Sequence, residues 1–376
     1  MRIGVDIRSL LSPTGRGVSH YTVSLLSELM EAHPEDSWHL IQTGRRASLL
    51  PEELAKNAAF KHVRWPNKLV NASLITCGRP RLDAALGGVD VFFAPNLGFF
   101  GLQRRTPLVL TVHDLSFKVY PAWFTARERA WQQAVRPGRL LRRADRVIAV
   151  SEQTKAEIVH YYEVDPEQVT VIHSGIDDVY HRPIPEADRR RVRQKYGLPA
   201  SYVLFIGAVE PRKNVSTLLA AYQEAREHGL KAELVVAGSI SPAMERTIAA
   251  TSEPIHSLGY VDEADKPALY AEAQTFTLLS HHEGFGFPPL EALAAGTPSI
   301  VAALPVFQET LGAAAVMVPA EDVRAVAANL VELERNRQAR EHLVKNGEPV
   351  MKRLTWQEAA RHTYAVLQAA AGDTDA

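Results

Sequence analysis

Residues 280–298 run Ser280-His281-His282-Glu283-Gly284-Phe285-Gly286-Phe287-Pro288-Pro289-Leu290-Glu291-Ala292-Leu293-Ala294-Ala295-Gly296-Thr297-Pro298. An apolar, β-type run at 275–279 precedes them, which predicts a loop opening at the carboxyl end of a buried strand. Gly284 and Gly286 permit backbone conformations and close approaches that a Cβ would block. Pro288 and Pro289 pre-set a helical φ at a first turn, where missing N–H groups cost least. Leu290, Leu293 and Ala294 give a short apolar face, and Gly296-Thr297-Pro298 stops the helix. The expected unit is strand, glycine loop and helix N-terminus, with Glu283 in the loop and Glu291 in the first helical turn. Exposed N–H groups at such a terminus attract an anion, and ionised carboxylates accept hydrogen bonds from hydroxyls. A phosphorylated, polyhydroxylated ligand meets both demands.

The rest of the chain repeats this rhythm. Residues 2–7 read as a first strand, followed by a turn with Gly15 and Gly17 and an amphipathic helix carrying Val18, Tyr21, Leu25, Leu26 and Leu29. Further strands are expected at 38–43, 60–65, 89–94, 107–112, 146–150 and 168–176. The proline- and charge-rich stretch 178–200 reads as an inter-domain linker. A second series then begins, with strands at 202–208, 233–238, 255–259, 275–279, 299–303 and 315–319, and a last helix at 355–371. Strands alternating with helices argue for an α/β chain of doubly wound sheets, with domains at 1–180 and 181–354.

Composition narrows the class. The 376 residues suffice for two α/β domains, and 46% apolar with 23% charged residues is the balance of a globular protein. A formal net charge of -1 gives no overall attraction to nucleic acid. The single cysteine, Cys77, rules out an intrachain disulfide and reads as a small core residue. Met1-Arg2 leads directly into a strand pattern, and no run approaches the length of a membrane helix, so a cytoplasmic location is expected.

Three further groups carry candidate chemistry. Arg212 and Lys213 follow the first strand of the second series, at the edge where open α/β sheets bind ligands, and could neutralise a diphosphate or be two solvated cations. His113 follows a buried strand and could be functional or cap the strand; Asp114 reads as orienting the loop. Gly15 and Gly17 fit a tight turn as well as an anion site. His281 and His282 diverge as neighbours and lack a third partner, so no metal site is expected. The aromatics Phe117, Tyr120, Trp123, Phe124 and Trp131 read chiefly as packing, with a wall over an acceptor as the alternative. Between 126 and 146 lie seven arginines and two acids, a solvated face or an interfacial basic helix touching anionic lipid at the inner face of a membrane.

Glu283-Gly284-Phe285-Gly286, Glu291 eight positions on and Ala295-Gly296-Thr297-Pro298 together resemble the glutamate-pair motif of retaining glycosyltransferases of family 4. Glu210-Pro211-Arg212-Lys213-Asn214 resembles that family's diphosphate-clamp turn, and the aromatic stretch after His113-Asp114 together with the opening Pro13-Thr14-Gly15-Arg16-Gly17 looks most like its bacterial mannosyltransferases. The resemblance implies the GT-B fold, two Rossmann-like domains facing each other across a cleft, with the terminal helix crossing back onto the first. It implies sugar transfer with retention from a nucleotide diphosphate donor, GDP-mannose favoured, to a glycan or lipid-linked acceptor, with no cofactor or obligatory metal. Glu291 resembles the glutamate holding the ribose hydroxyls, and Glu283 the one at the donor sugar. Arg212 and Lys213 resemble the cations that stabilise the leaving diphosphate, aided by the loop backbone at Gly284, Phe285, Gly286 and Phe287. Gly15 and Gly17 are expected near the diphosphate and acceptor, and His113 facing the donor sugar. Phe307-Gln308-Glu309-Thr310 departs from the usual Leu-Pro-Glu-Val of that loop. A UDP-sugar donor (glucose or N-acetylhexosamine), a nucleotide-sugar epimerase and a non-catalytic sugar-nucleotide-binding protein are the competing expectations.

Overall fold

The computed structural model describes residues 1–11, 16–45 and 50–372. It divides into two compact units, Met1–Gly175 with Leu354–Ala376, and Ile176–Arg353.

In the first unit β1 (Arg2–Asp6), β2 (Ser37–Thr43), β3 (Ala58–Val63), β4 (Val91–Ala94), β5 (Leu108–Val112), β6 (Arg146–Ala149) and β7 (Val169–Val171) form one sheet. Its order is β3-β2-β1-β4-β5-β6-β7, and every pair is parallel. In the second unit β8 (Tyr202–Ile206), β9 (Glu233–Ala237), β10 (Ile255–Gly259), β11 (Thr275–Leu278), β12 (Ser299–Ala302) and β13 (Ala315–Val318) run β10-β9-β8-β11-β12-β13, again all parallel. Parallel strands need helical crossovers that cover both faces, so the central strands are apolar throughout rather than alternating. β8, β11 and β12 are buried at every position. In both sheets the winding reverses beside the first strand, which puts the switch points at β1/β4 and β8/β11. In open sheets of this kind the carboxyl ends of the strands at a switch point are where ligands are taken.

The last helix, Trp356–Gly372, belongs to the first unit. It packs on helix Arg16–Ala32, where the Gln357 amide donates to Glu28 (2.9 Å) and Trp356 meets the Tyr21 ring edge-on at 5.9 Å. Tyr364 donates to Asp36 (2.7 Å) and stacks on His33. Gly175 lies against the Thr355–Trp356 backbone so closely that no Cβ would fit.

Three expectations are corrected. The stretch read as a linker holds the helix Glu186–Tyr196, part of the second unit, whose only buried residue is Val192. Charge docks it: Arg189 and Arg193 pair with Glu272, and Arg191 and Lys195 with the buried Asp265. An ion-paired helix has no apolar stripe for periodicity to find. Cys77 is exposed, at the end of helix Asn67–Cys77, whose buried residues are Val70 and Leu74. The third strand begins two residues earlier than expected, and Trp65 lies beyond it, 57% exposed.

Candidate active site

The β8/β11 switch point collects the charged residues of the second unit. After β8 the chain makes a short 3-10 turn, Pro211–Lys213, and Asn214 adopts a left-handed conformation (φ 51°) before helix Val215–Glu227. Asparagine tolerates that conformation because its short amide bonds locally. Here the Asn214 amide donates to the Ala320 carbonyl (2.7 Å) and accepts from the Thr217 hydroxyl (2.8 Å). The turn is thereby fixed, and Arg212 and Lys213 face the loop that leaves β11.

In that loop Glu283 receives them both. Lys213 Nζ lies 2.6 Å from Glu283 Oε1, and Arg212 Nη1 lies 3.0 Å from Oε2. The Ser280 hydroxyl donates to Oε1 at 2.7 Å, and Arg212 also donates to the His282 carbonyl at 3.1 Å. The His281 N–H returns a bond to the Arg212 carbonyl (2.9 Å), so the two loops are laced by backbone as well as by charge. Burial by itself would push the Glu283 carboxyl up; Lys213 and Arg212 overcome it and hold the group at about 2. Burial pulls the Lys213 ammonium down, with Glu283 opposing. The result is a buried carboxylate held between two cations, with the exposed Glu210 also 3.8 Å from Arg212.

Gly286 begins the next helix, Phe287–Ala294, with φ 88°. A Cβ there would overlap the Phe307 ring, which is fully buried. Gly284 and Phe285 are buried in the loop, and the rings of Phe285 and Phe287 meet edge-on at 5.0 Å. Glu291 is the fifth residue of the helix and so sits in its second turn, a correction to the first-turn expectation. It is buried, and the Tyr270 hydroxyl donates to its Oε2 at 2.8 Å. Glu309, in the departing segment, is half-buried on helix Pro305–Thr310, and its carbonyl accepts from Arg353 (3.2 Å).

The first unit holds the remaining candidates. His113, just past β5, donates from Nε2 to the Pro95 carbonyl after β4 (2.8 Å) and meets the Tyr21 ring edge-on at 4.6 Å. A carbonyl only accepts, so Nε2 carries the proton and Nδ1 keeps its lone pair. Burial pushes His113 below its ordinary value, against the opposing pull of the Pro95 bond and Asp114, which favours the neutral ring. Asp114 accepts from the Ser116 N–H (2.9 Å) and hydroxyl (2.6 Å). Gly15 lies outside the described residues, and Gly17 is the second residue of helix Arg16–Ala32 rather than part of a preceding turn. Of the aromatics, Phe117 packs against the core, but Tyr120 and Trp131 are exposed, which corrects the packing expectation for those two. The basic segment forms helices Ala126–Val135 and Pro137–Arg143. Arg136 and Arg139 rim a cavity of about 470 Å³ walled by Leu74, Phe99 and Leu140.

Sequence reasoning brought Glu283, Arg212 and Lys213 to one place. It missed Ser280 and Tyr270, because a serine at a strand end and a tyrosine on an apolar helix carry no signal of what they will touch. Among the described residues no three His, Cys, Asp or Glu side chains converge as a metal site, and no helix is long and apolar enough to cross a membrane.

Two doubly wound units, the second with a carboxylate–dication cluster at its switch point, define a GT-B protein. The family model of glycosyl transferases group 1 matches residues 150–349, and that of glycosyltransferase family 4 matches residues 15–180; the chain belongs to this family of glycosyltransferases. It is 30% identical to the O-antigen chain mannosyltransferase B of Escherichia coli, over 92% of this chain and 94% of that one. Among solved structures, sucrose-phosphate synthase from Thermosynechococcus elongatus matches with a TM-score of 0.73 at 20% identity, covering 98% of each chain. HepE of Anabaena, in complex with UDP and glucose, matches with a TM-score of 0.71 at 16% identity, covering 98% of this chain and 99% of that one.

Proposed function

We propose that the chain transfers mannose from GDP-mannose, with retention at the anomeric carbon, to a glycan or lipid-linked acceptor in bacterial polysaccharide biosynthesis. The observation that carries this is the Glu283–Lys213–Arg212 cluster at the switch point of the second unit. Departure of a nucleoside diphosphate puts negative charge on its phosphate oxygens and positive charge at the anomeric carbon. Preorganised charges in a water-poor site stabilise both without reorganising. Arg212 and Lys213 serve the diphosphate, with the N–H groups of residues 285–287 at the helix N-terminus. Glu283, ionised and buried, serves the sugar hydroxyls and the developing positive charge. Glu291 accepts from the ribose hydroxyls. In the first unit, the free Nδ1 lone pair of a neutral His113 suits a hydroxyl donor. The Escherichia coli relative's name supports mannose, and its O-antigen product supports a polysaccharide acceptor.

A UDP-sugar donor is the second candidate, favoured by the UDP and glucose bound to the Anabaena protein of the same fold. Incubation with GDP-mannose, UDP-glucose and UDP-N-acetylglucosamine separates the two. The expected outcome is slow release of GDP from GDP-mannose alone, with the α configuration kept in any transferred sugar by NMR. Release from a UDP-sugar instead reassigns the donor; a changed sugar without nucleotide release marks an epimerase, and no turnover of any donor marks a binding protein.

Peripheral contact with anionic membrane is part of the same proposal. Exposed Arg136 and Arg139 beside a cavity walled in part by Leu74, Phe99 and Leu140, with the exposed Trp131 edge-on to Phe99, combine the charge and the apolar surface an interfacial segment needs. Co-flotation with anionic liposomes at low salt is expected, and its absence removes the contact.

A further inference from the structure

Glu291 is held from behind. Tyr270, on helix Lys266–Ala271, donates its hydroxyl to Glu291 Oε2 at 2.8 Å, and both side chains are buried. A second buried phenol, Tyr180, stands beside Tyr270 and near enough to feel the Glu291 charge. The two rings meet edge-on with centroids 5.8 Å apart, and Tyr270 is further wedged by Phe276 at 5.6 Å. The Tyr270 backbone is pinned as well, since the Thr297 hydroxyl, just past the Glu291 helix, donates to its carbonyl at 2.6 Å. Burial, and then the Glu291 charge, push both phenols well above their ordinary value, so they stay protonated and act as donors. A glutamate ordinarily samples several rotamers, and fixing one costs side-chain entropy when a ligand must do it. Here the protein has fixed it in advance, and the carboxylate still has lone pairs to offer.

We infer that Tyr270, backed by Tyr180, is a positioning residue that locks the Glu291 carboxylate for a vicinal diol, and so sets the enzyme's preference for a ribonucleotide over a 2′-deoxyribonucleotide. This rests on the assignment of Glu291 to the ribose. Neither tyrosine touches the nucleotide; each acts through Glu291.

The test is calorimetric titration of the full chain with GDP and 2′-deoxy-GDP, and with UDP and 2′-deoxy-UDP, using the pair that binds more tightly. The wild type should favour the ribonucleotide at least tenfold. Tyr270→Phe should weaken the ribonucleotide about tenfold, leave the deoxynucleotide within about twofold and so erase the preference. Tyr180→Phe should do the same to a smaller degree, and serves alone if Tyr270→Phe does not fold. A general loss of structure would weaken both nucleotides together, and that outcome overturns the inference. So does a preference that survives in both variants while Glu291→Gln abolishes it. Equal binding of both nucleotides by the wild type overturns the ribose assignment itself, and the inference with it.

Discussion

Lys213 Nζ lies 2.6 Å from Glu283 Oε1, with less than a tenth of either side chain exposed. The two residues stand 70 positions apart, on loops leaving β8 and β11, strands that pair side by side. Doubly wound topology forces that adjacency, because the chain returns to the other side of its first strand at the switch point.

Glu283→Ala removes the carboxylate and leaves the two cations. The buried Lys213 then loses the carboxylate that opposes its burial, and the developing charge on the sugar has no partner. Transfer should fall by about 10²–10³-fold, the usual cost of losing one preorganised electrostatic group. The Kd for the free nucleoside diphosphate should stay within about threefold, because Arg212 and Lys213 remain. Equal losses of transfer and binding would place Glu283 at the diphosphate instead.

The same carboxylate makes stability depend on acid. Its folded pKa is about 2 against an ordinary 4.5, so between those values the unfolded chain takes up a proton that the folded one refuses. The contribution is complete above about pH 4.5 and is lost as the pH falls toward 2. Integrated, it is on the order of 3 kcal/mol. Urea unfolding of wild type and Glu283→Gln at pH 5 and 3.5 measures it. The wild type should lose more stability across that interval than the variant, and parallel losses would contradict the assignment.

Much of this is legible in the amino-acid sequence. The apolar runs at β8, β11 and β12 stand where periodicity put them, because strands buried on both faces leave an unbroken apolar signature. Glu283, Arg212 and Lys213 lie in turns after such strands, and it is the resemblance of those turns to the family's motifs that groups them. What escaped was structure made by pairs distant in sequence. Helix Glu186–Tyr196 carries mostly charges, and its partners Glu272 and Asp265 lie some 70 to 80 residues away. Tyr270 is a fully buried ring whose one polar atom meets Glu291, and a tyrosine in an apolar run does not announce that partner. Cys77 illustrates the opposite error, a residue type that is usually buried but sits at an exposed helix end.

That helix supplies a stability test. Asp265 accepts from Arg191 (2.6 Å), Lys195 (2.6 Å) and the Tyr196 hydroxyl (2.9 Å), and its side chain is almost wholly buried. The cationic heads are about half exposed, so solvent screens part of the loss. Asp265→Asn should therefore cost about 1–2 kcal/mol, between an exposed and a buried pair. It should leave the Km for the donor within about twofold, since the Asp265 side chain bonds to Arg191, Lys195 and Tyr196 on helix Glu186–Tyr196 and not to Glu283, Arg212 or Lys213. Thermal unfolding and steady-state kinetics on one preparation give both numbers.

Gly286→Ala combines two independent penalties. The residue holds φ 88°, a conformation costing an L-residue about 1–2 kcal/mol. The new methyl would also overlap the Phe307 ring, which is fully buried and has little room to retreat. Overpacking of this kind costs about 1–3 kcal/mol more. Pairing the change with Phe307→Leu removes the overlap and keeps the backbone strain. The single variant should then melt lower than the double variant, with Phe307→Leu alone as the reference for the cavity it leaves. Donor binding should weaken in both Gly286 variants, because the strained residue precedes the helix whose N–H groups are assigned to the diphosphate. If Gly286→Ala binds nucleotide as the wild type does, the loop backbone is not part of the donor site, and the diphosphate is held by Arg212 and Lys213 without it.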